Sequence, residues 1–466
     1  MPETVIELDL SSPWEPPEHP APRRRLRARW VAVCAVLAVA SGVLAAAGPR
    51  PRTGPLYMID DRVRGVTVAG DKLIVERFQQ SVTDPRIEGR RRSDGALLWA
   101  VQGSLEQHPV VAGAGALILV HYGIEDRGFS STITVLDPDT GRQLWTRQNS
   151  AFVGSRDGLV VVQEMGAPEK VVDLPVGEER DPAVNHAADV PPLPLRVLDE
   201  RTGTTVWEMT PPDGAVLDFR WDGRFPVGRV TGVDQLETSG LLTRRDIRTG
   251  AVRSTVQLRW SGRPAMFSTT AGWQVVPGRV PDRAVVYPDG QRGGIVFDLA
   301  DGRSLFPTDV AIYDGLYPCA AGLYCSTTDR GLAAYDSTTG KPAWRLAGFT
   351  EIVASVGDRL VVSTYDYSSA RPAPLGIADA RTGALVTDLD GWRLIREASG
   401  ERILVWRAAD PVTGILGELD PVTGRVAVFG RAGEWYGPPE CSAGRDTLAC
   451  LMVGRMTVWQ LPARRG

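Results

Sequence analysis

Seven aspartates recur at one place in a repeated motif, and a repeated carboxylate is the first feature of this 466-residue chain that could do chemistry. Asp137, Asp199, Asp246, Asp298, Asp336, Asp379 and Asp420 each stand four residues before a glycine: Gly141, Gly203, Gly250, Gly302, Gly340, Gly383 and Gly424. Carboxylates at a fixed spacing suggest ligation of a hard cation or proton transfer. The segment DPDTG at 137–141 opens like a calcium loop, but the twelfth position carries no glutamate. The four histidines are too few for a multi-histidine metal site. His108 and His121 fall in or near strands and His186 in a loop, so each reads as structural. No G-x-S-x-G elbow is present, and the glycine-rich text at 113–116 reads as a turn because no helix follows it.

Cysteine chemistry comes second. Cys319 and Cys325 lie in PCAAGLYC, and Cys441 and Cys450 in ECSAGRDTLAC. Each pair brackets a small loop between apolar segments, where two neighbouring strands bring Cα atoms within disulfide range. Four cysteines allow three pairings, of which only 319–325 with 441–450 is local. A metal site is the rival reading, but no histidine lies near either pair.

The elements that must position these groups follow from the repeat. Eight segments align on a glycine, the seven above and RRSDGALLW at Gly95. Six carry Thr directly before the glycine, and Trp99, Trp145, Trp207 and Trp344 stand four residues after it. In each unit the Asp ends a strand and can accept backbone N–H groups of a turn. The Gly supplies a positive φ, and the next strand follows. The Trp would pack on the neighbouring sheet. The aspartates are thereby explained as turn residues, and no residue is assigned a catalytic, cofactor-binding or metal-binding role.

An apolar run precedes each hairpin, for example ALILVHY at 116–122, GLVVVQE at 158–164 and RLVVSTY at 359–365. Units of about four short strands, spaced 38 to 62 residues apart, cannot bury their faces alone and must stack. The pattern predicts an all-β fold: a β-propeller of four-stranded blades over residues 56–466. Eight glycine turns imply eight blades, seven being the alternative. The strand pair in 447–462 is expected to close the ring with a strand near 56–69, which removes exposed sheet edges.

The N-terminus is different in kind. Residues 1–29 read as a disordered cytoplasmic tail, acidic and proline-rich up to residue 22. Trp30–Ala47 is an uncharged run of 18 residues, long enough for a transmembrane helix over 30–48. Arg23, Arg24, Arg25, Arg27 and Arg29 precede it, which holds that end in the cytoplasm. A cleaved signal peptide is the alternative, since Ala45–Ala47 resembles a processing site. Cys34 lies within the span, residues 49–55 form a linker, and the two disulfide-like pairs agree with export.

The motif D-x-x-T-G-x-x-x-W is intact at Asp137–Trp145, Asp199–Trp207 and Asp336–Trp344. It resembles the repeat of pyrroloquinoline-quinone-dependent dehydrogenases and their non-enzymatic propeller relatives, over roughly residues 60–461. The enzymes of that family imply a quinone, a calcium ion, a catalytic Asp and often adjacent cysteines over the quinone. This chain has no Cys-Cys, lacks the extra length of cofactor loops, and offers no position for the catalytic residue. The resemblance therefore implies a non-enzymatic member without cofactor; with the span at 30–48 the expectation is a protein- or ligand-binding scaffold anchored in a bacterial plasma membrane, its propeller outside the cytoplasm, with a protein or cell-wall partner. A quinone-dependent oxidoreductase is the alternative. The balance of 52 basic and 56 acidic residues gives no footing for nucleic acid. Residues 164–195 hold seven acids and six prolines and read as a projecting loop, either a tolerated insertion or a partner-binding element.

Overall fold

Apolar runs without alternation mark strands buried on both faces, and the third blade shows how they are used. Val160 and Val162 face the second blade and pack with Ile118, Val120, Ile133 and Val135. Val161, between them, faces the fourth blade and packs with Val230, Val233 and Ile247. Period-two side chains thus feed two cores at once, so a wholly apolar run is required.

The computed structural model describes residues 54–463 apart from 60–61, 79–84, 104–106, 126–127, 166–192, 222–228, 270–281, 289–292, 309–316, 321, 329–330, 365–374, 396–401, 411, 434–439 and 453–454. The tail, the expected span, most of the linker, the bulk of the acidic segment and His186 lie outside the described residues. Among the described residues no helix is long and apolar enough to cross a membrane.

The strands form nine four-stranded antiparallel sheets. Eight are consecutive in sequence: blade 1 at 63–102, blade 2 at 107–148, blade 3 at 150–209, blade 4 at 216–257, blade 5 at 264–308, blade 6 at 317–346, blade 7 at 351–388 and blade 8 at 393–433. The ninth combines Glu440–Ala443, Thr447–Met452 and Arg455–Gln460 with Tyr57–Ile59 from the other end of the chain. Nine hydrophobic clusters lie one at each junction between consecutive blades. The cluster joining blade 9 to blade 1 (Val458, Met456 and Ala449 with Val63, Leu73 and Val75) completes the ring. The first strand of blade 1 touches those of blades 2 and 9, and the first strands of blades 4 and 5 touch each other, which places these strands toward the axis.

The propeller is therefore as expected, but the count of eight or seven blades is corrected to nine. The eight glycine turns join third to fourth strands within eight blades. The ninth blade takes those two strands from opposite chain ends, so it has no such turn and leaves no glycine to count. Residues 63–69, expected in the closing blade, begin blade 1 instead; only Tyr57–Ile59 closes the ring.

Candidate functional site

The repeated carboxylates are occupied by their own turns. Asp137 Oδ1 accepts the N–H groups of Asp139 (2.9 Å) and Thr140 (3.0 Å) and the Thr140 hydroxyl (3.1 Å). Asp199, Asp246, Asp336 and Asp379 repeat this set through one oxygen. Asp420 accepts the same three groups with both oxygens, and Asp298 keeps the first N–H bond, from Ala300. Each glycine closes its turn with φ between +68° and +74°, a conformation that a Cβ disfavours. Hydrogen bonds to the charged form hold the carboxyls of Asp199, Asp336, Asp379 and Asp420 below the usual aspartate range, the Thr hydroxyl leading in three and the Thr339 N–H in Asp336.

The same turns dock neighbouring blades. The Trp344 ring covers Gly383 so closely that a Cβ there would lie 2.6 Å from it, and its indole N–H donates to the Ala380 carbonyl at 3.1 Å. Trp99 meets Gly141 and Pro138, Trp145 meets Gly203 and Glu200, and Trp207 meets Gly250 and Ile247 in the same way. Each of these four tryptophans thus lies against the glycine turn of the next blade. Two further wedges were missed. Phe306 covers Gly340, and its place four residues after Gly302 could have revealed it. Tyr57 covers Gly95 and its hydroxyl donates to the Arg92 carbonyl at 2.6 Å. No local spacing announces that pair, because Tyr57 reaches blade 1 from the closing strand.

The turn face is tied together. Backbone bonds link third-to-fourth turns to first-to-second turns, as from Ser337 N–H to the Gly322 carbonyl and from Ala380 N–H to the Asp358 carbonyl. Ion pairs run between blades: Lys72 with Asp139 at 2.7 Å, Arg92 with Asp446 at 2.8 Å, and Arg248 with Asp157. Glu200 lies buried between blades 2 and 3 and accepts the Gly115 N–H at 3.2 Å; burial raises its carboxyl above the usual glutamate value. In sequence this residue looks like any turn glutamate.

The junction of blades 4 and 5 is built differently. Ser254 stands where the Trp would be, and Gly302 docks on the Gln257 backbone. Asp234, fully buried, pairs with Arg220 at 3.0 Å and Arg244 at 3.3 Å, and Arg244 reaches on to Asp282. The Arg220 contact is an ion pair without an aligned hydrogen bond.

Both disulfides form. Cys319–Cys325 and Cys441–Cys450 each join the first and second strands of one blade, 6 and 9, and lie in the cores toward blades 7 and 8. His108 and His121 lie on the paired strands Gln107–Ala112 and Leu117–Glu125. A cavity of about 310 Å³ opens between blades 8 and 9, lined by Pro55, Met58, Arg431, Met452, Arg455 and Thr457 among others.

These residues do not fit a quinone-and-calcium site. The repeated carboxylates point into separate turns rather than converging, and the paired cysteines are spent on bridges inside blades. Among the described residues no three of His, Cys, Asp or Glu are grouped to hold a metal ion.

No family model and no curated protein matches the sequence. Among solved structures, BamB from Moraxella catarrhalis is 14% identical over 87% of this chain and 100% of its own, with a TM-score of 0.36. A europium-containing methanol dehydrogenase is 13% identical over 85% of this chain and 84% of its own, at 0.37. Saccharomyces cerevisiae Sqt1 is 10% identical over 88% and 100%, at 0.40. At such values the likeness carries nothing about function, and the propeller stands on the chain's own nine sheets and nine cores.

Proposed function

We propose that this protein is a membrane-anchored scaffold or sensor whose propeller lies outside the cytoplasm and binds a protein or cell-wall partner. The observation that carries this reading is the commitment of the repeated carboxylates to their own turns. They make a rigid, charged turn face instead of a reacting centre. With one oxygen holding two N–H groups and a hydroxyl, each carboxylate is fixed in its own turn and kept from converging with the others on one metal or substrate. The two disulfides favour an oxidising compartment, and the arginines before residue 30 favour a cytoplasmic N-terminus.

One experiment tests location and binding together. Thr338 is exposed in the aspartate turn of blade 6. Full-length protein with Thr338→Cys is treated in intact cells with a membrane-impermeant thiol reagent carrying a photo-crosslinker. The expected result is labelling without permeabilisation and one reproducible adduct to an envelope component. Labelling only after permeabilisation contradicts the location, and labelling without a discrete adduct contradicts the scaffold role at this face.

A further inference from the structure

The strand that closes the ring differs from the other fourth strands. In blades 1 to 8 a covalent turn joins the fourth strand to the third, as in the Asp-Thr-Gly turn between Leu195–Asp199 and Thr205–Met209. Tyr57–Ile59 has no such turn: its partner Arg455–Gln460 belongs to the other end of the chain, and only three positions pair, Tyr57 with Val458, Met58 with Thr457 and Ile59 with Met456. The anchoring is concentrated on few groups. Ile59 enters the core, and Tyr57 wedges on Gly95 and bonds the Arg92 carbonyl. Leu56 and Met58 are 39% and 58% exposed. Behind Met58 lies the cavity between blades 8 and 9 rather than packed side chains. The remaining three strands of blade 9 are joined by bonds that do not involve it: they pair along Cys441 with Cys450 and Thr447 with Gln460, and the first two are cross-linked.

We propose that Tyr57–Ile59 is a releasable latch. A pull arriving through the chain at Pro55 detaches it before any other strand and bares the edge of Arg455–Gln460, while the core of Ala449, Met456 and Val458 with Val63, Leu73 and Val75 still joins blade 9 to blade 1. An unpaired strand edge is a template for an added strand, so release would present a new binding edge. The proposal deepens the scaffold-or-sensor reading and rests on it only for the source of the pull. Few buried contacts and exposed backbone bonds place an element at the low-stability end of a structure.

The test uses full-length protein in detergent, stretched between handles at its two ends. The expected result is a separate, reversible step before cooperative unfolding, at a force lowered by Tyr57→Ala. In unstretched protein, amides of 56–59 should exchange at least about ten-fold faster than those of 205–209, the fourth strand of blade 3. Loss of the whole ring in one event, or exchange in 56–59 at the rate of 205–209, overturns the latch. Neither measurement depends on membrane topology, so a wrong location for the propeller would leave this result standing, and the converse.

Discussion

The junction of blades 6 and 7 and that of blades 4 and 5 do the same job with opposite chemistry. The first seats a tryptophan, 8% exposed, on a glycine turn and satisfies its one polar group with a neighbouring carbonyl. The second buries Asp234 between two arginines. An aromatic wedge contributes by apolar area and close packing. A buried ion set loses hydration and recovers it only through pairing, so it contributes little net and tolerates no loss of a partner. The repeat thus supplies a standard joint, and one junction replaces it with a polar lock whose geometry must be complete.

The largest effects should come from breaking each joint. Trp344→Ala is expected to destabilise by about 3–5 kcal/mol, as for other large core truncations. Gly383→Ala should also destabilise, through the clash with Trp344 and the positive φ. The double variant should cost less than the sum, because without the ring only the φ strain remains. Additive costs would mean that the ring and the glycine do not meet. At the other junction, Asp234→Ala should cost about 3–5 kcal/mol by removing the carboxylate paired with Arg220 and leaving Arg244 only Asp282. Replacing Arg220, Asp234 and Arg244 together by Met, Leu and Met should be nearly neutral. A triple variant as unstable as the single one would show that the lock stabilises in its own right. Chemical denaturation measures all of these.

The disulfides come next. Each closes a short loop, with sequence separations of 6 and 9, so removing either should cost about 2 kcal/mol in the loop-entropy model. Non-reducing peptide mapping should recover both pairs. Free thiols at all four positions would contradict the structure in blades 6 and 9.

The smallest effect is that of pH. The turn carboxyls of Asp199, Asp336, Asp379 and Asp420 are held below their ordinary value. Unfolding therefore takes up protons in that window. Their contribution is complete above the ordinary aspartate value of about 3.9 and is lost as pH falls through the lower folded values. Glu200 has the opposite sign: its raised carboxyl weakens the fold as pH rises above about 4.3. Thermal melts should fall on acidification below about pH 4, less steeply in Asp379→Asn. An unchanged acid slope in that variant would remove the turn bonds as its cause.

Much of the fold was legible in the sequence because the repeat writes each turn into four residue types. Asp, Thr, Gly and Trp appear at fixed offsets, and each has one local task. The ninth blade was not legible because its joint is made by chain ends, which no local spacing records. Asp234 was not legible either: within VTGVDQL it looks like an outward residue of an alternating strand, and only the packing of blade 5 on that face buries it. Glu200 was hidden by its neighbour, since a glutamate after a turn aspartate is ordinary on a surface. The bonding of the turn aspartates was legible, because a carboxylate, a threonine and a positive-φ glycine at that spacing satisfy one another.

That last point carries the functional account, and a titration tests it directly. In the quinone-dependent dehydrogenases whose repeat this motif resembles, the chemistry belongs to a bound quinone, which a protein must hold rigidly beside a metal ion and a base. Purified full-length protein is titrated with pyrroloquinoline quinone and Ca²⁺, with absorbance and dye-linked oxidation of alcohols and aldoses followed together. The account predicts no saturable spectral change and no dye reduction. Stoichiometric uptake of the quinone with substrate-dependent dye reduction would contradict it and make the protein an oxidoreductase.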